Sequence, residues 1–359
     1  MSDRLLIGTR KGLFEVRRSN GEWRIANTAF LGDPVSMLLR DSRDGAVYAA
    51  QALGHFGVKL QRSIDDGKSW KEIPSPAFPE QGGDAAGPSV SMLFSLEAGG
   101  ADRPGHLWAG TIPGALFKST DGGASWSLNE SLWNVPERSE WSGGGFDDPA
   151  LHSICVDPRN SDHITVGVSS AGVWVTRDGG ASWQLRADGM YAEYMPPQRR
   201  NDPRVQDDHR IVQCPAKPDV LWAQHHNGVF RSTDGSESWQ EVTAIRPSKF
   251  GFGVAVHPHD PDTAWFVPGV KDECRIPVDG KLVVARTSDG GASFDVLTEG
   301  LPQRHAYDLI LRHALAVDET GRRLAMGSTT GHLWVSENSG DRWTLAAGNL
   351  PPIACVRFG

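Results

Sequence analysis

Short apolar runs alternate with clusters of Gly, Asp, Ser and Asn along this chain, and the same pairing of run and cluster returns from one end to the other. At residues 115–126 the run Ala115-Leu116-Phe117 predicts a strand, Ser119-Thr120-Asp121-Gly122-Gly123 a tight turn, and Ser125-Trp126 the start of the next strand. Related units occupy residues 63–70, 176–183, 232–239, 287–294 and 336–343, with a weaker seventh at 12–23. The aromatic that closes each unit falls at Trp23, Trp70, Trp126, Trp183, Trp239, Phe294 and Trp343, in steps of 47 to 57 residues. A unit of that size cannot bury its own apolar face, so a repeat at this period predicts a propeller or a solenoid.

Each repeat divides into four strands, here A (innermost) to D, with the Asp-rich turn between C and D. In blade 2 they are expected at 89–96, 106–112, 115–119 and 125–129; in blade 3 at 151–157, 163–168, 173–176 and 183–186; in blade 4 at 209–214, 220–225, 229–232 and 239–242. Six complete blades leave pieces at both ends: strands B, C and D at 5–9, 12–17 and 23–26, and an isolated A-like strand at 353–358. Joined, these pieces form a seventh blade and cover the exposed edges. The expectation is an all-β, seven-bladed β-propeller over residues 1–359, closed by pairing of the two terminal segments.

The recurring Ser/Thr-x-Asp-x-Gly-x-x-Trp pattern resembles the Asp-box, or BNR, repeat. Five copies keep the aspartate, as Asp65, Asp121, Asp178, Asp234 and Asp289; Asn338 replaces it in the sixth, and Ser236 replaces a glycine in blade 4. The resemblance implies a propeller but no single activity, because Asp-box propellers include sialidases, xyloglucan-cleaving enzymes, sorting receptors and photosystem assembly factors. Residues 141–152, 206–209 and 303–308 look like the loops of bacterial single-propeller proteins labelled sialidase-like or glycosyl hydrolase. The Phe/Tyr-Arg-Ile-Pro motif that sialidases share has only Arg275-Ile276-Pro277 as a counterpart, in blade 5. The resemblance therefore implies a saccharide-scale ligand without assigning any residue a sialidase role.

Inside each turn the aspartate is expected to accept hydrogen bonds from its own backbone, the glycines to supply positive φ, and the aromatic to pack between neighbouring sheets. One carboxylate per turn is too few ligands for calcium. With 359 residues, 39% of them hydrophobic, the chain has material for an ample core. A net charge of -8 from dispersed acids leaves no basic face, so neither nucleic acid nor an anionic membrane is an expected partner. The opening residues lack an apolar signal core and no run reaches the length of a membrane span, which predicts a cytoplasmic protein. Cys155, Cys214, Cys274 and Cys355 show no paired spacing and are expected as free thiols.

Loop size points to one face. The C–D and A–B turns are short, whereas the opposite face carries 74–88, 130–149 and 187–208 between blades and an insertion at 269–280. Aligning the A strands on their apolar ends puts His152, His209 and His313 at one position of blades 3, 4 and 6, with Ser36, Ser91, Phe252 and Pro352 in the others. Three imidazoles at one height around a channel can hold a divalent transition metal, with His226 or Asp208 completing the shell, or act as acid and base. The plainer alternative is that they turn between blades and bond to backbone carbonyls. Asp208, His305 and Tyr307 join His152 and His209 as catalytic candidates, and Asp148, Tyr194, His225, His226, Arg304 and Asp308 are candidates for binding. Carboxylate pairs beside aromatics suit hydrolysis or elimination on a carbohydrate-like or other small polar substrate. A non-catalytic ligand-binding or assembly propeller is the alternative.

Overall fold

A computed structural model describes residues 1–80, 87–143 and 146–359, so parts of the loops at 74–88 and 141–152 lie outside the described residues. Seven four-stranded antiparallel sheets follow one another around a ring. Blades 1 to 6 occupy residues 35–73, 92–128, 151–185, 208–241, 251–297 and 315–347. Blade 7 takes its inner strand, Ile353–Phe358, from one end of the chain and the strands Arg4–Thr9, Gly12–Ser19 and Glu22–Ala29 from the other. Leu5 faces Phe358 and Ile7 faces Val356 across this seam, which is the expected closure. No helix of the described residues is long and apolar enough to cross a membrane.

The core lies between blades rather than within any of them. Ile353 and Val356 of blade 7 pack in one cluster with Leu315, Trp334 and Trp343 of blade 6 and Trp265 of blade 5, all buried. Three of the tryptophans that close an Asp-rich turn also reach back to the preceding blade: Trp126 Nε1 donates to Pro74 O at 3.0 Å, Trp183 Nε1 to Asn129 Oδ1 at 2.8 Å, and Trp239 Nε1 to Arg186 O at 2.9 Å. The repeat thus fastens neighbours together as well as closing its own hairpin.

In the turn itself, Asp121 Oδ1 accepts the Ser125 N–H at 2.9 Å and the Ser119 hydroxyl at 2.8 Å, while Oδ2 accepts the Ser125 hydroxyl at 2.6 Å. The Ser119 hydroxyl oxygen accepts from Gly123 N at 2.9 Å. The same set recurs around Asp65, Asp178, Asp234 and Asp289, and Asn338 Oδ1 reproduces its backbone half at 3.0 Å. These bonds hold the Asp121 carboxyl down at about 2, the Ser125 hydroxyl and N–H contributing most. Ser236, at the position of Gly123, adopts φ 71°, a conformation glycine enters freely and other residues only with strain.

Every A strand except that of blade 6 carries a register shift, and most fall near the same point: Ser36, Phe94, His152, His209 and Phe252 lie within the shifts of blades 1 to 5. A bulge leaves its extra residue out of the strand's alternation and so redirects a side chain in each of these blades. Two of the expected equivalents are displaced. Phe94 rather than Ser91 occupies the position in blade 2, because the turn that follows strand A closes at Gly99, three residues later than the apolar pattern implied. In blade 7 the register shift skips from Cys355 to Ile353, so its position is Ala354 rather than Pro352.

Candidate functional site

Blade 4 supplies the centre of the site. Asp207 and Asp208 lead into its inner strand, His209 sits in the bulge, and His225 and His226 end the next strand at the same edge of the sheet. Asp207 and His209 point into one space with His226: Asp207 Oδ2 lies 3.4 Å from His226 Nδ1 and 3.7 Å from His209 Nε2. The far side of each group is fixed. His209 Nδ1–H donates to Gly251 O at 2.7 Å, and Asp207 Oδ1 accepts the Ser170 N–H at 3.1 Å. The His209 ring lies flat on Phe252, 4.4 Å between centroids, and Tyr194 and Phe250 stand edge-on to His226 at 5.1 and 5.9 Å.

Asp208 turns the other way, between blades 3 and 4, where its Oδ2 is 3.3 Å from His152 Nε2 and both side chains are fully buried. Gly167 makes this possible, because a Cβ there would overlap Asp208 Oδ2 and press on the His152 ring. Ser153 Oγ accepts the Ile211 N–H at 2.9 Å and lies 2.8 Å from His152 Nδ1, which fixes the ring with Nε2 facing Asp208. The adjacent carboxyls are driven apart. Burial and the neighbouring Asp207 charge raise Asp208 well above the ordinary carboxyl value. Burial also works against ionised Asp207, but the imidazoles of His209 and His226 outweigh it and hold Asp207 well below that value. Burial lowers His209; it opposes the proton on His226 too, yet Asp207 prevails there and raises it. Neighbouring residues of one strand thus hold a proton and a negative charge side by side, a pairing typical of sites that move protons.

Arg312 enters beside this pair from the segment before the inner strand of blade 6. Its guanidinium stands 5.1 Å from the Phe252 ring and 5.5 Å from the Phe94 ring, and only 8% of the residue is exposed. Among the described residues it makes no hydrogen bond or ion pair, its Nε being buried without a partner. Burial drags Arg312 down to about 10, partly offset by Asp207. A guanidinium left in that state is an unfilled electrostatic demand at the channel mouth.

His152, His209 and His313 do not converge on one point. His313 Nε2–H reaches across the channel to His152 O at 2.9 Å, and Arg357 Nη2 donates to His313 Nδ1 at 3.2 Å, so both of its ring nitrogens are engaged. Its backbone forms an isolated bridge to Cys355 of blade 7, which draws it away from the bulge position of its sheet. Arg210 joins the same plug, donating to His152 O at 3.2 Å. The plainer expectation, imidazoles answered by backbone carbonyls, thus describes His313.

The remaining candidates scatter. His225 is buried beneath the cluster, where its Nε2 lies 3.0 Å from the Asp207 N–H and positions that residue's backbone. Asp308 is buried and tied to His332 Nδ1 at 2.8 Å in blade 6. Asp148, Arg304, His305 and Tyr307 are exposed, with no contact to the cluster among the described residues. Trp133 and Trp141 pack on Phe78 and Trp174 rather than lining the mouth, which leaves Tyr194 beside the cluster. A surface groove between Trp23 and Arg342 lies on outer strands, remote from this chemistry. Arg312 and Phe94 escaped sequence reasoning; the available signal was that Arg312 immediately precedes the aligned His313, as Asp208 precedes His209.

No protein-family model matches the chain. A sialidase of Bacteroides fragilis (strain YCH46) is 28% identical over 158 residues, which is 36% of this chain and 29% of that protein, so the chain spans under a third of its relative's length. Among solved structures, an ancestral GH74 enzyme superposes with a TM-score of 0.60 at 20% identity, over 86% of this chain and 38% of its own. YCF48 bound to a D1 peptide superposes with a TM-score of 0.58 at 14% identity, over 94% of this chain and 90% of its own. At these identities the two structural likenesses establish the propeller fold that the strand topology displays.

Proposed function

We propose that the protein is a hydrolase or lyase acting on a small polar, carbohydrate-scale substrate at the loop-rich mouth of its channel. The observation that carries this reading is the buried Arg312 guanidinium, without a hydrogen-bond or ion-pair partner among the described residues, beside carboxyls of opposite protonation, Asp207 and Asp208. Hydrolysis and elimination on polar substrates both require stabilisation of negative charge that grows on an oxygen, and both require a proton to be moved. Arg312 meets the first need from a largely buried position held between the Phe94 and Phe252 rings. The Asp207–His209–His226 cluster meets the second, because His226 alone of the three is open enough to be reached from solvent. Tyr194 supplies a half-exposed ring for an apolar sugar face. The sialidase and GH74 likenesses support the carbohydrate scale of the substrate.

Turnover of a panel of glycosides, lactones and uronate-containing oligosaccharides tests the reading. Arg312→Met keeps the length and apolar contacts of the stem, and kcat is expected to fall by about 10²- to 10³-fold, the usual loss when one preorganised donor is removed. His226→Gln is expected to cost about 10²- to 10⁴-fold. Turnover untouched in both folded variants overturns it. The second reading, a non-catalytic binding propeller, draws on the likeness to peptide-bound YCF48 and on Tyr307 and Phe146, which are 58% and 45% exposed. Tight capture of a peptide or protein, with no turnover of any substrate class, would favour it.

A further inference from the structure

We infer that Asp207, His209 and His226 form a binding site for one divalent transition-metal ion, with Asp207 Oδ2, His209 Nε2 and His226 Nδ1 as ligands. The donor atoms lie within 4.8 Å of one another. The two measured spans to the carboxylate, 3.4 and 3.7 Å, exceed the 2.7–3.2 Å of an ordinary N–H···O bond. They match the geometry of shared ligands instead: an ion with bonds of about 2.1 Å in a tetrahedral arrangement sets its donors about 3.4 Å apart. A direct ion pair would draw these groups closer.

The surroundings are those of a site built for an ion. Bound imidazoles are normally held by a hydrogen bond from the other ring nitrogen, and bound carboxylates by a bond to the other oxygen. His209 Nδ1–H is committed to Gly251 O, so the lone pair of Nε2 is the one that faces Asp207. Asp207 Oδ1 is committed to the Ser170 N–H, leaving Oδ2 for the ion. Alternation along the chain puts Asp207 and His209 on one side of the strand while Asp208, between them, turns to His152. Two imidazoles and one carboxylate select zinc, iron, cobalt or nickel rather than magnesium or calcium, which prefer oxygen donors. Three protein ligands leave at least one position open, and His226 borders solvent, so water or a substrate oxygen can complete the shell, and with the ion bound that water would take over the proton transfer assigned above to the free cluster. This site differs from the His152, His209 and His313 trio expected from the repeat alignment and shares only His209 with it.

The test needs no substrate, and its outcome is independent of whether the protein is an enzyme. Full-length protein without an affinity tag, stripped with a chelator, is titrated with zinc(II) by calorimetry and with cobalt(II) by visible absorption. One equivalent of each metal is expected to bind, with a rise in melting temperature as zinc is added. His226→Ala is partly exposed and expected to fold; it should weaken binding by at least the 10- to 100-fold that loss of an outer-shell partner costs. Asp207→Asn should do the same, and His313→Ala should leave affinity unchanged. Absence of a stoichiometric site in the stripped wild type overturns the inference. So does full affinity in His226→Ala, or loss of binding in a folded His313→Ala, which would move the ion to the trio.

Discussion

Asp121 of blade 2 and Asp207 of blade 4 stand at opposite ends of their blades, and their surroundings treat the same side chain in opposite ways. Asp121 is exposed and fully answered by short bonds to its own turn, which keep it ionised down to about 2. Asp207 is buried, is held by one backbone N–H, and otherwise faces imidazoles beyond hydrogen-bond reach; the carboxyl of its neighbour Asp208 is buried and makes no hydrogen bond among the described residues. The difference teaches where to look for chemistry in a repeat protein. Carboxylates that satisfy themselves locally build the scaffold and have nothing left to offer a ligand. Carboxylates that the fold leaves wanting retain free energy that a ligand, a proton or an ion can claim.

The contrast breaks first if the frame is removed. Deleting residues 353–359 strips the inner strand from blade 7 and uncovers Arg4–Thr9, and the loss is expected to match the whole stability of a domain, about 5–15 kcal/mol. Circular dichroism and sedimentation should then report an unfolded or aggregated chain; a truncated protein that melts like the full-length one overturns the closure. Trp239→Ala, a 2% exposed latch onto blade 3, is expected to cost about 3–5 kcal/mol in denaturant unfolding. Metal binding by its folded fraction should be untouched, since the latch lies on the Asp-box side.

Asp208→Asn probes the opposite end, and its sign is reversed. A carboxyl whose folded pKa is raised contributes fully at low pH and loses that contribution as the pH climbs past the unfolded value of 3.8. The variant is therefore expected to be more stable than the wild type at neutral pH, by about 0.5–2 kcal/mol, and to lose most of that advantage near pH 4. A substitution that destabilises equally at both pH values contradicts a protonated Asp208. Asp121→Asn should have the smallest effect, about 1 kcal/mol or less, because Asn338 already fills this role in blade 6. Its signature is in acid: a depressed carboxyl contributes above 3.8 and loses its contribution as the pH falls toward 2, so the variant should flatten the acid limb of the stability curve over that window. An unchanged acid limb contradicts the bonding of the turn.

Much of the frame was legible because each repeat writes its own turn. The strands expected at 151–157, 163–168, 173–176 and 183–186 appear as Leu151–Val156, Ile164–Val168, Gly172–Thr176 and Gln184–Leu185. The seam at 353–358 is where the pattern put it. The site was legible only in part. The expectation of chemistry on the loop-rich face, near His209 and His226, is where the structure collects its buried charges, yet the partners differ. Asp207 displaced Asp208 at the mouth, Arg312 went unnoticed, and His313 was spent on a carbonyl across the channel. His305, Tyr307, Arg304 and Asp148, read as site residues from their loops, project into solvent instead.

The sequence by itself determined the repeat, the blade count and the closure, because these follow from local rules: period-two strands, a turn whose donors and acceptors lie within a few residues, and an aromatic at a fixed offset. Only the tertiary structure decided which side chains share the channel mouth. That choice depends on bulges that reverse the direction of single residues, on the absence of a Cβ at Gly167, and on contacts between blades that are far apart in sequence. Hydrogen bonds and burial at that range are set by the closed ring as a whole, so no window of the chain contains the information.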